Sequence, residues 1–143
     1  MENKKKFFCI IYCMNLIKIL TVENEINKEL YTILEKLFKI INLDNWLVEF
    51  LFLELNIFKS IGYDINFKDY VVNKNINGAS KYVVDSSHKI IPNFLIDKKI
   101  IPENIKEINS GYSIVGDFLD KTIIKPNNKS FPSSRNDFTN LLK

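Results

Sequence analysis

The sequence predicts a mainly α fold: a small helical bundle interrupted by a short antiparallel β-ribbon. Three observations carry that expectation. Apolar residues recur at helical spacing over most of the chain, as in "KELYTILEKLFKII". Residues 68–101 break that pattern with β-rich runs separated by turn signals. The 143 residues, 46% hydrophobic and 26% charged, amount to one domain of ordinary globular balance.

Phe7 to Leu20 reads as a largely buried first helix, ended near "TVENE". The preceding "MENKKK" and the run "FFCIIYCMNLI" together have the outline of a signal peptide. However, no small-residue cleavage site follows, the run is too short to span a bilayer, and Lys18 interrupts its continuation. The expectation is therefore a cytoplasmic amphipathic helix that has lost upstream neighbours, leaving apolar surface exposed on that side. Asn27 can cap a second helix whose apolar face is Leu30, Leu34, Leu37, Phe38 and Ile41. "NLDN" breaks it, and Asp44 is placed to cap a third helix, Asn45 to Ile61. That helix is apolar on nearly every side, so it should be central. Gly62 supplies the left-handed residue that ends it.

The ribbon comes next: "YVV" and "KYVV" flank the turn "NING", and "DSSH" precedes "KII". Pro102 opens a short helix, "PENIKEI". "GYSIVGDFLDKTIIK" forms another, with Ile114, Phe118, Leu119 and Ile123 on one face. "KPNNKSFP" is a loop, and Ser133 or Ser134 caps the final helix.

No catalytic constellation stands out, and an enzyme is not expected. The single histidine, His88, falls in a turn, and no glycine-rich phosphate loop or HExxH pair is present. Cys9 and Cys13, four apart on one helix face, cannot complete a zinc site and read as core residues. Glu54 is the unusual residue, since its helical neighbours Phe50, Leu51, Ile57 and Phe58 are all apolar. A carboxylate buried there needs a cation, and Arg135, the one arginine against nineteen lysines, is the candidate partner. The net charge of +3 does not by itself indicate a nucleic-acid binder. Lys121, Lys125, Lys129 and Arg135, clustered around "KPNNKSFPSSR", are nevertheless candidate phosphate contacts.

The order of these pieces resembles the C-terminal part of the RecO family of bacterial recombination mediators. The resemblance is carried by "NKELYTILEKLFKIINL", "FLELNIFKSIGYDINF" with Glu54, Leu55, Gly62 and Tyr63, "KYVVDSSHKII", and "GDFLDKTIIKPNNKSFPSSRNDF". It implies a helical domain with a small insertion like an ArfGAP-type zinc finger, following an OB-fold. It also implies a non-catalytic role in recombinational DNA repair, with DNA, RecR and the tail of the single-strand-binding protein as partners. Three departures qualify it. Only six polar residues precede the first helix, where the family carries an OB-fold. Tyr70 and Asn73 occupy the first pair of zinc-ligand positions, so neither a metal nor another cofactor is expected. Leu51 and Phe52 stand where relatives carry arginines associated with tail binding. The alternative reading is a helical protein-interaction module with no DNA role.

Overall fold

The computed structural model describes residues 2–21, 28–84 and 89–143. The helices α1 (Glu2–Leu20), α2 (Lys28–Ile40) and α3 (Trp46–Ser60) come first. A 3-10 turn at Phe67–Tyr70 leads into the strands β1 (Val71–Ile76), β2 (Ala79–Val84) and β3 (Ile90–Ile91). Then follow α4 (Asn93–Ile96), α5 (Ile105–Leu119) and α6 (Ser133–Asn140). α1 packs on α6, α2 on α3, and α3 on α5. The chain is mainly helical with one three-stranded antiparallel sheet, as the sequence predicts.

α1 starts five residues before Phe7. Glu2 suits the first turn of a helix, pairs with Lys5 at 3.3 Å, and accepts the indole N–H of Trp46 at 3.1 Å. The helix buries Cys9, Tyr12, Cys13 and Leu16, a stripe spaced to face one side. On the far side Phe7 remains 60% exposed and Met14 is also exposed. In α2 the buried residues are Ile33 and Leu37, with Ile41 just beyond its end. Phe38, expected on that face, is 56% exposed. One position past Leu37 is a rotation of about 100°, which carries Phe38 off the stripe. Asn27 and the side chain of Leu30 lie outside the described residues.

α3 is the central helix, burying Trp46, Phe50, Leu51, Leu53, Glu54, Ile57 and Phe58. Asn45, not Asp44, holds its N-cap position, and no side chain caps it there. Its end follows the Schellman pattern: Gly62 N–H donates to Lys59 O at 3.0 Å and Tyr63 N–H to Phe58 O at 2.9 Å. Gly62 takes φ +106°, which a side chain would oppose.

The hairpin turns on Asn77 and Gly78, both at positive φ, with Val71 opposite Val84 and Ile76 opposite Ala79. β3 adds to β2 through the Tyr82–Ile91 and Val83–Ile90 pairs. The turn "DSSH", with His88, lies outside the described residues.

"PENIKEI" and "GYSIVGDFL" form one helix, α5, and not two. Asn104 caps it by accepting from Glu107 N–H at 3.0 Å, which leaves Pro102 before the helix. Gly111 does not break it, because bare backbone there admits the buried ring of Phe94. After Leu119 the chain widens into a π-turn, Asp120–Ile124, and then tightens into a 3-10 turn, Lys125–Asn127, which holds Pro126. Asn128, at φ 57°, ends the run. Neither Ser133 nor Ser134 caps α6: Pro132 holds that position, and Ser134 Oγ instead accepts from Asn15 Nδ2 at 3.0 Å.

At the centre, Glu54 and Arg135 meet across 81 residues of sequence. Arg135 donates from Nε to Oε2 at 2.9 Å and from Nη2 to Oε1 at 3.1 Å, the two-pronged geometry of a strong pair. Nη2 also donates to Tyr112 O at 2.9 Å, and the Tyr12 hydroxyl donates to Glu54. The guanidinium lies over the rings of Tyr12 and Phe131. Around the pair, Phe50, Tyr112 and Phe138 form an aromatic cluster, with Phe138 edge-on to the other two at 5.7 and 5.5 Å. Burial alone would lower the Arg135 pKa, but the Glu54 charge reverses this and holds it above the ordinary arginine value. Gly116 makes room for the guanidinium, whose Cζ would lie 2.8 Å from a β-carbon there.

Gly116→Ala should destabilise by about 1–3 kcal/mol, because the pinned guanidinium cannot yield. Thermal melting checks it, and a gain of about 1 kcal/mol, as helix propensity alone dictates, would contradict the packing. Burial, reinforced by the Glu54 charge, pushes the Tyr12 phenol pKa well up, and burial does the same to Tyr112. Their protonated forms therefore stabilise the fold fully below pH about 10, the unfolded tyrosine pKa, and that stability is lost as pH rises beyond it. In an alkaline absorbance titration, two of the six tyrosines should become tyrosinate only as the protein unfolds.

Candidate functional site

The lysines singled out from the sequence lie on the connection between α5 and α6, where the π-turn and the 3-10 turn present them to solvent. Lys121 and Lys125 each have 69% of the side chain exposed. Both have carboxylate partners. Lys121 reaches Asp117 at 3.2 Å, which Lys89 also reaches at 3.3 Å, and Lys125 reaches Asp120 at 3.2 Å. Hydrogen bonding from Lys121, then Lys89, holds the Asp117 pKa below the usual carboxylate range despite some desolvation. Lys129 behaves differently: its Nζ donates to Ile19 O at 2.5 Å, satisfying a carbonyl in the last turn of α1. The loop is thereby fastened to the first helix.

Arg135 does not share that surface. It is 7% exposed and its guanidinium faces Glu54, so it is unavailable to a phosphate in this structure. The sequence groups it with the lysines because it lies six residues past Lys129, but the helical turn of α6 directs it inward. Its pairing with Glu54 and its phosphate role are competing uses of one guanidinium, and the geometry selects the first.

The ribbon is braced by side chains. Tyr70, at the first zinc-ligand position of the resembling family, sets its ring 5.0 Å from Phe118, and Phe67 lies 5.3 Å from the same ring. Asn73, at the next ligand position, accepts a hydrogen bond from Ser80 across the strand pair. Neither residue offers a thiolate. Cys9 and Cys13 are sequestered in the core of α1, with burial raising both thiols, Cys13 to about 12. These residues do not fit a zinc ribbon, and among the described residues no three His, Cys, Asp or Glu side chains gather as a metal site.

A second surface feature was not evident from the sequence. Between α2, α3 and residues 98–102 runs a groove of about 420 Å3. Ile40, Phe52 and Ile101 line it, together with Lys36, Lys39 and Lys98. Lys98 Nζ sits 4.8 Å from the Phe52 ring centre. Only the fold brings α2 and the segment after α4 together here, so periodicity along either one could not reveal it. No described helix is long and apolar enough to cross a membrane.

No curated protein and no solved structure gives a match to the chain. The family model described as "Recombination protein O C terminal" matches residues 1–98, which takes in α1 to α3, the ribbon and α4. That is well over half of the 143 residues. The chain belongs to the RecO C-terminal family and has a RecO-like role in DNA repair and recombination.

Proposed function

We propose that the chain acts in recombinational repair by binding and not by catalysis, contacting DNA phosphates through Lys121 and Lys125, with Lys129 beside them. The carrying observation is the exposure of Lys121 and Lys125 on a segment fixed at both ends, by α5 and by the Lys129 bond to α1. Their ion pairs, an exposed one with Asp117 and one with the half-buried Asp120, are weak surface pairs, so phosphates can compete for both ammonium groups. Arg135 takes no part in this interface. The setting is cytoplasmic, and RecR and the single-strand-binding protein are the proposed partners. The groove along α2 and α3 supports a protein partner as a second reading, since its apolar walls and three lysines, against the one carboxylate of Glu49, suit an acidic, apolar segment.

Fluorescence anisotropy with labelled DNA over a salt series tests the first reading. Affinity should fall steeply with salt. Lys121→Gln with Lys125→Gln should weaken single strands and duplex alike and reduce the salt slope by about 1.5. Absence of binding at low salt would contradict it. For the second reading, Lys98→Glu should weaken an acidic, apolar peptide about tenfold while leaving DNA affinity unchanged; unchanged peptide binding would count against the groove.

A further inference from the structure

A cavity of about 770 Å3 opens between the ribbon and α5. Its interior is apolar, with Phe67 and Phe118 on one side. Tyr70 is 48% exposed and touches Phe118 with ring planes 66° apart. Lys89 and Lys121 line the same cleft, bridged by Asp117.

We propose that this cleft receives an unstacked base of a single-stranded nucleic acid, with Tyr70 stacking on the base and Lys89 and Lys121 holding the adjoining phosphates. This rests on the DNA-binding reading above and assigns that surface a preference for single strands. The volume falls in the range of pockets that enclose a small planar ligand. An exposed aromatic with lysines beside it is a combination by which proteins hold single strands without reading sequence. Asp117 holds both ammonium groups beside the opening, and with Asp69 the two lysines and two aspartates lining the cleft balance in charge. Asp69, also on the cleft wall, opposes a phosphate at its own edge, which directs the backbone toward Lys89 and Lys121. A base paired within a duplex cannot enter.

The test uses the full chain with labelled oligo-dT and a blunt duplex of equal length. Tyr70→Ala should lower single-strand affinity about tenfold and change duplex affinity less than about twofold, leaving the salt slope unaltered. Tyr70→Phe should restore binding. In the unsubstituted protein, oligo-dT but not duplex should protect Tyr70 from iodination. Equal loss on both DNAs, no loss on either, or iodination of Tyr70 in the oligo-dT complex overturns this inference while leaving phosphate binding intact. Failure of the unsubstituted chain to bind either DNA overturns both.

Discussion

A carboxylate with no solvent contact sits in the helix that forms the middle of this protein, and the other helices are arranged to satisfy it. Glu54 lies on α3, Tyr12 reaches it from α1, Arg135 from α6, and Tyr112 on α5 supplies the carbonyl that takes a further guanidinium hydrogen. Gly116 on α5 leaves the space in which the guanidinium fits. Four helices are thus coupled through one polar cluster inside an aromatic shell. A pair of this kind adds little net stability over a well-packed apolar core. Removing one partner, however, strands a buried charge and costs about 3–5 kcal/mol. The cluster ties α6 to the central helix by bringing Arg135 to Glu54.

That docking organises the surface where DNA binding is proposed. With α6 fixed through Arg135 and Ser134, the segment from the π-turn to Pro132 is held at its far end, and Lys129 fastens it to α1 midway. The exposed lysines consequently project from a braced loop. The ribbon on the same side is stabilised by an Asn-Gly turn, a cross-strand Asn73–Ser80 bond and a Phe67–Phe118–Tyr70 contact. Aromatic packing holds the ribbon against α5, and Tyr70 is left at the mouth of a cleft.

Much of the fold was legible in the sequence because it rests on local signals: the apolar content of α3, Gly62 after it, and the "NING" turn. The Glu54–Arg135 contact was legible for another reason, that one arginine among nineteen lysines is the natural match for one carboxylate in an apolar helix. Other readings failed where tertiary structure overrode local chemistry. Asp44 and Ser133 are good caps by residue type, yet the helices begin one residue after Asn45 and Pro132, with no side-chain cap. The stretch through Gly111 was read as two helices; in the single helix that forms, the ring of Phe94, seventeen residues earlier, packs where a side chain at Gly111 would lie. Arg135 was read in two ways at once, since sequence proximity to lysines cannot reveal which way a helical side chain points. The α2–α3 groove and the cleft beside Tyr70 join distant segments, so no window of sequence contained them.

The most direct test of the central cluster is a double-mutant cycle on Glu54 and Arg135, Glu54→Leu with Arg135→Met, read by denaturant unfolding. Strong coupling is expected: each single change costs several kcal/mol, while the double variant recovers at least about 2 kcal/mol of the summed loss. Additivity within about 0.5 kcal/mol would contradict it, showing that the two groups stabilise the fold independently.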